Sequence, residues 1–168
     1  GEAEVTSAKP GKSPRQCLDD MRAVWDAGRR ISPNGPVATY LASRGLAVPQ
    51  TKVLRESVIK GIPVMLAKVV SPAGKAVNVH RTFIRPDGHS RYMMEGETPV
   101  GSYVPLGDAR NSLGVGEGIE TCLHASAIYG LPVWPALNAE NLAAFRCPDA
   151  IMKFTVFADN DANFHGLR

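Results

Sequence analysis

Three carboxylates dominate the chemistry open to this sequence. Glu117 follows the short apolar run LGVG, and Asp159 and Asp161 follow the β-rich run IMKFTVFA within ADND. If extended backbone persists through Asn160, the i, i+2 spacing points Asp159 and Asp161 the same way. Clustered carboxylates repel one another unless a cation neutralises them, and a hard, oxygen-seeking ion such as Mg²⁺ or Mn²⁺ does so. Metal-assisted phosphoryl transfer is the chemistry such a cluster supports. Taken singly, each element reads as well in structural terms: Asp and Asn build the turn leaving a strand, and a glutamate beginning a helix suits the helix dipole. Joint placement at two strand ends is what favours the metal reading.

Gly114, Gly116 and Gly118 also make G-x-G-x-G between a strand and a helix, which approximates a dinucleotide-binding turn. The third glycine comes one residue early, however, and LPVWPAL runs into Asn138 rather than into an acidic residue for a ribose hydroxyl. A glutamate between glycines would also repel a pyrophosphate.

The elements around these residues read as strand (LGVG), helix (IETCLHASAIY, ending at Gly130), strand (LPVWPAL), helix (NAENLAAFR) and strand (IMKFTVFA). Strands alternating with helices through short joins predict a parallel sheet with crossover helices, whose functional crevice lies outside the carboxyl ends of the strands. Upstream the pattern differs. Ser13-Pro14 with Gln16 forms a capping-box start to a helix carrying Leu18, Met21, Val24 and Trp25. A second short helix follows Gly35-Pro36, with Val37, Tyr40 and Leu41 on one face and a stop at Gly45. From Ile62, IPVMLAKVV, KAVNVHRTFIR and HSRYMM, joined by SPAG and PDG, predict a three-stranded antiparallel meander. Its middle strand puts Asn78, His80 and Thr82 on one face and Val77, Val79, Arg81 and Phe83 on the other, which predicts one polar and one buried side.

The fold class is therefore α/β: a parallel sheet flanked by helices, preceded by a smaller α+β subdomain with an antiparallel meander. Residues 1–12 are expected to be a linker or frayed start, 13–111 the basic subdomain, and 112–168 the parallel α/β domain, cut short at Arg168. Gly1 in place of Met points to a start inside a longer protein. The 168 residues, 44% of them hydrophobic, are enough to bury a core. No apolar run approaches the length of a membrane span, so a cytoplasmic protein without a membrane partner is expected. Cys17, Cys122 and Cys147 lack the paired spacing of zinc ribbons or redox motifs. The net charge of +3 conceals a division. Residues 1–111 hold 16 basic and 10 acidic residues, and residues 112–168 hold 3 and 6. Such a split is ordinary surface solvation, or else one half grips a polyanion while the other holds cations.

GEGIET at 116–121, followed some forty positions later by FADND at 157–161, resembles the Toprim domain of bacterial-type primases, type IA and II topoisomerases and some nucleases. VATYLASRGL at 37–46 is similar to a helical segment of the bacterial-type primase core. HRT at 80–82 and RYMMEGETP at 91–99 resemble the strands preceding Toprim there, and GLPVWPAL at 130–137 is similar to text of phage and mobile-element primases and primase-helicases. The resemblance spans residues 15–166. It implies a primase RNA-polymerase core, making RNA primers on single-stranded DNA from nucleoside triphosphates, with a replicative helicase, fused or separate, as a further partner.

By position, the resemblance makes Glu117, Asp159 and Asp161 the catalytic metal ligands for Mg²⁺ or Mn²⁺, with Gly116, Gly118, Glu120 and Asn160 supporting. Arg81 and Arg91 would contact template phosphates or nucleotide, with His80 and Arg85 weaker candidates. Glu120 could instead simply solvate a helix start, and Arg85 and His89 could be solvated strand-end residues. Two other functions remain open from sequence: metal-dependent DNA cleavage by a Toprim nuclease or topoisomerase, and a non-catalytic nucleic-acid-binding module of a replication protein.

Overall fold

A computed structural model describes residues 11–158. The capping box forms as expected. Ser13 Oγ accepts from Gln16 N at 3.2 Å and Gln16 Oε1 accepts from Ser13 N at 2.8 Å, starting α1 (Pro14–Ala27). Its buried stripe is Cys17, Met21 and Trp25, whereas Leu18, expected on that stripe, is 44% exposed. Helix α2 (Pro36–Ser43) opens on Gly35-Pro36 and closes through Arg44 and Gly45, the latter in the left-handed region at φ 72°.

The expected three-stranded meander has a fourth strand. Strands β1 (Leu54–Ile59), β2 (Ile62–Val70), β3 (Ala76–Arg85) and β4 (Gly88–Met93) lie in the order β1-β2-β3-β4, all antiparallel. Lys60 and Gly61, both at positive φ, join β1 to β2 in a two-residue turn that continues the strand twist. The charges of LRESVI hide β1 in the sequence. Glu56 is nevertheless buried, exchanging backbone bonds with Arg29 and accepting from Arg29 Nε at 3.2 Å.

The division of β3 into two faces holds, but neither face is left to water. Val79 packs with Val64, Leu66 and the α1 stripe. Asn78, His80 and Thr82, on the side expected to be polar and open, are buried. Met65, Ala67 and Val69 of β2 share that side and enter the main core with Leu41 of α2, Leu113, Ile119 and Trp134. Helices and strands of the C-terminal half therefore cover the polar face of β3.

That half is the expected parallel sheet. It comprises β5 (Ser112–Gly116), α3 (Ile119–Tyr129), β6 (Val133–Pro135), α4 (Ala139–Ala143) and β7 (Lys153–Phe157), in strand order β6-β5-β7 with both pairings parallel. Strand β6 and helix α4 are shorter than the sequence runs suggested, because Pro135 ends the pairing and Ala144 leaves the helix. Gly114 and Gly116 are there for packing. A Cβ on Gly114 would lie 2.7 Å from Phe157 and 2.9 Å from Val133, and one on Gly116 2.9 Å from Cys122 Sγ. Asn141 of α4 ties the halves together, accepting from Gly101 N and donating to Ala136 O, both at 3.0 Å. Trp134 Nε1 adds a bond to Gly107 O at 2.9 Å. No helix among the described residues is long and apolar enough to cross a membrane.

Candidate functional site

The carboxyl end of the parallel sheet is where the sequence put its chemistry. Glu117 leaves β5 half-buried, between Gly116, the last residue of the strand, and Gly118, which caps α3 through backbone alone. Its carbonyl accepts from Leu137 N at 2.8 Å, and the carbonyl of Gly116 accepts from Ala136 N at 2.8 Å. Leu137 makes that bond from φ 77°, a conformation that costs a branched residue about 1–3 kcal/mol and survives only when its surroundings impose it. The loop leaving β6 thus straps the backbone of Glu117 in place.

Strand β7 lies directly beside β5, with Phe157 opposite Gly116. The chain leaving β7 therefore starts next to Glu117. Asp159, Asn160 and Asp161 lie outside the described residues. Among the described residues no three His, Cys, Asp or Glu side chains gather to hold a metal. As a donor set, three carboxylates suit a hard divalent cation, and the adjacency of the β5 and β7 ends fits such a group.

The basic candidates fall on two different faces. Cross-strand register places Arg81 opposite Tyr92 and Thr82 opposite Arg91. Arg81 and Arg85 accordingly share the α1-facing side with Phe83, each guanidinium 5.6 Å from its ring, and Arg81 Nη2 donates to Met93 O at 3.0 Å. Arg91, His80 and His89 share the opposite side, which faces α2 and α3. There Arg91 Nη2 bonds Glu120 Oε2 at 2.9 Å, and Tyr40 Oη donates to Glu120 Oε1 at 2.6 Å. Glu120 is only 7% exposed, so the reading of it as a solvated helix start is excluded.

The electrostatics agree with this wiring. Burial pushes the Glu120 carboxyl up, but bonds from Tyr40 and Arg91 outweigh it and hold the group below its ordinary value. Burial and the bond to Glu120 push the Tyr40 hydroxyl up to about 12. Burial lowers Arg91, yet Glu120 raises it by more. His80, buried beside Arg91, is driven down to about 4, first by desolvation and then by that arginine, so it is neutral near pH 7.

Sequence reasoning missed Tyr40 and Arg44 as site residues and left His89 open between a solvated strand end and a role. Arg44 Nη2 meets His89 Nδ1 at 2.9 Å, and its guanidinium lies 5.1 Å from the centre of the Tyr40 ring. A guanidinium can only donate, so Nδ1 is the accepting nitrogen of a neutral imidazole. Burial, Arg91 and Arg44 all lower the His89 pKa, as that tautomer requires. The i, i+4 spacing of Tyr40 and Arg44 was the available signal. Their common partners across the chain were not visible.

Comparison with known proteins agrees with this architecture. Residues 15–102 match the family model described as a domain of unknown function, DUF7146, and residues 112–168 match a Toprim domain. No curated protein sequence matches the chain. Among solved structures, the primase fragment of the bacteriophage T7 primase-helicase protein superposes with a TM-score of 0.56 at 16% identity, covering 76% of this chain and 56% of that one. The chain thus spans little more than half of that fragment. A second match, with a TM-score of 0.53 at 17% identity, covers 83% of this chain and 70% of the other. It comes from a structure of the bacteriophage T7 lagging-strand DNA polymerase interacting with primase domains of two gp4 subunits bound to an RNA/DNA hybrid and dTTP. The model match over residues 15–102, just over half the chain, makes this protein a member of the DUF7146 family, here joined to a Toprim domain.

Proposed function

We propose that this chain is the RNA-polymerising core of a DNA primase, with residues 13–111 as its basic subdomain and 112–168 as its Toprim domain. The observation that carries the reading is the extent of the fold likeness. It covers 76% of this chain in the T7 primase fragment, far more than the Toprim segment alone, so it extends well into the residues that precede that segment. Toprim domains serve several reactions. The likeness beyond that segment supports primer synthesis over DNA cleavage.

In this reading Glu117, Asp159 and Asp161 would hold Mg²⁺ or Mn²⁺, with Gly116, Gly118 and Asn160 shaping the two strand exits. When bound, the cation supplies charge neutralisation at a nucleoside triphosphate and its attacking hydroxyl. The chain's own part is positioning. Arg91, whose planar fork suits phosphate, sits on the face that also carries Glu120 and contacts nucleotide or template. Arg81 and Arg85, on the opposite face, meet the template strand elsewhere, and the buried His80 backs Arg91. Single-stranded DNA and nucleoside triphosphates are the substrates, and a replicative helicase is the expected partner.

The test is a priming assay on single-stranded DNA with nucleoside triphosphates and Mg²⁺ or Mn²⁺. Glu117→Gln and Asp159→Asn should each lower primer yield at least ~100-fold, the scale of losing one electrostatic stabiliser. Undiminished priming by both variants, or metal-dependent nicking of plasmid DNA in place of priming, would overturn the proposal.

A further inference from the structure

Glu120 occupies an unusual place in the wiring of the molecule. It lies in the first turn of α3, three residues after Glu117, so their Cα atoms are at most about 10 Å apart. Its two carboxylate oxygens are held by side chains from two other elements, Tyr40 of α2 at 2.6 Å and Arg91 of β4 at 2.9 Å. Helix α3 needs such an anchor. Its N-cap is Gly118, with no side-chain cap bond, whereas α1 and α4 are capped by Ser13 and Asn138. On its strand side Glu117 is tied by the bonds from Ala136 and Leu137, so what remains to be fixed is Gly118 and the first turn of α3. What the missing cap leaves loose at this helix start, the buried carboxylate can fix.

We infer that Glu120 is a positioning residue. Clamped by Tyr40 and Arg91, it fixes the start of α3 and keeps Glu117 in register with the arginine on the neighbouring sheet. This role rests on the proposed assignment of Glu117 to a divalent cation and of Arg91 to phosphate, and it links the two. A buried carboxylate between one hydroxyl and one guanidinium is selective about geometry, because loss of the guanidinium leaves an uncompensated charge and loss of the hydroxyl leaves an unsatisfied oxygen. The clamp therefore transmits any displacement of β4 to α3, and the reverse.

The experiment compares wild type with Glu120→Ala, Glu120→Gln, Tyr40→Phe and Trp134→Phe in the full chain. One readout is Mn²⁺ affinity, by electron paramagnetic resonance of free Mn²⁺. The other is amide exchange across 117–123 in metal-free protein. Supporting groups around metal ligands typically carry 10–100-fold of the affinity. Glu120→Ala should weaken Mn²⁺ binding about 10-fold and speed exchange at Cys122 and Leu123. Glu120→Gln, whose one oxygen can accept from Arg91 while its amide nitrogen donates to Tyr40 Oη, should recover part of the loss, and Tyr40→Phe should fall between. Trp134→Phe removes a bond to Gly107 between the same two halves without touching Tyr40, Arg91 or Glu120, and should leave Mn²⁺ affinity unchanged.

Unchanged exchange in a folded Glu120→Ala protein overturns the clamp, as does an equal loss of affinity in Trp134→Phe. Absence of Mn²⁺ binding in wild type would sink the metal assignment instead, and the exchange data would still decide whether Glu120 holds the helix start.

Discussion

The two faces of the four-stranded sheet are both buried, yet they are built on opposite principles. Towards α1, Val64, Leu66 and Val79 meet Cys17, Met21 and Trp25, and the nearest charges, Arg55 and Lys68, lie 4.4 and 4.7 Å from the centre of the Trp25 ring. Towards α2 and α3, the sheet presents Asn78, His80, Thr82, His89 and Arg91 beside the apolar residues of β2. The first face is mostly volume and apolar area, with Arg81 and Arg85 over the Phe83 ring at its edge. The second buries Glu56, Asn78, His80 and Thr82, and leaves Glu56 Oε2, His80 Nδ1 and Thr82 Oγ1 without a partner among the described residues. Through the bonds of Tyr40 and Arg91 to Glu120 it specifies which residues meet across the two halves of the chain. Polar alternation in a strand marks solvent only where nothing covers it. Here it marks the interface that carries the candidate site.

This contrast can be broken by substitution. Trp25→Ala removes the largest side chain of the apolar face and should destabilise by about 4 kcal/mol, the range for deleting a core aromatic. Asn78→Ala should cost less, about 3 kcal/mol, and for a different reason. Asn78 donates to Met94 O at 3.1 Å and Thr98 Oγ1 at 2.8 Å, and accepts from Val79 N at 2.7 Å and Met94 N at 3.1 Å. Removing it strands groups with little access to water. Urea unfolding measures both. A negligible loss in Asn78→Ala would mean that water replaces the side chain and that Asn78 does not hold the chain leaving β4 against β3.

Much of the fold was legible because local signals and tertiary structure agree. The capping box of α1, the glycine stop of α3 and the alternation of β5, β6 and β7 with helices in a parallel sheet all follow from residues close in sequence. Strand β1 was not legible, because Arg55 and Glu56 interrupt its pattern and Glu56 is stabilised by Arg29, 27 residues away. The site divides in the same way. Glu117 could be placed from its strand and helix alone, while Asp159 and Asp161 lie outside the described residues. The clamp was hidden because Tyr40 and Glu120 are 80 residues apart and each looks unremarkable in its own helix. Register, which no composition reveals, separated Arg81 from Arg91.

The smallest expected effect, and the one most particular to the polar face, is in the pH dependence of stability. His80 is held near a pKa of about 4 in the folded chain against 6.5 when unconstrained, chiefly by burial and then by Arg91, with Glu120 pulling the other way and Arg81 adding to the depression. Between those values the unfolded chain binds a proton that the folded chain refuses, so stability falls as pH drops from 6.5 towards 4. The slope can reach about 1.4 kcal/mol per pH unit, for a loss of about 2 kcal/mol between pH 7 and 5. His89 shares the direction, and Glu120, held below its ordinary carboxylate value, adds its own loss only at lower pH. Unfolding in urea at pH 7, 6 and 5 should show this decline in wild type and a much flatter profile in His80→Gln. Parallel profiles would mean that His80 is protonated in the folded state. In that case its charge beside Arg91 would have to be balanced by Glu120, and the carboxylate could not serve Arg91 and the helix start alone.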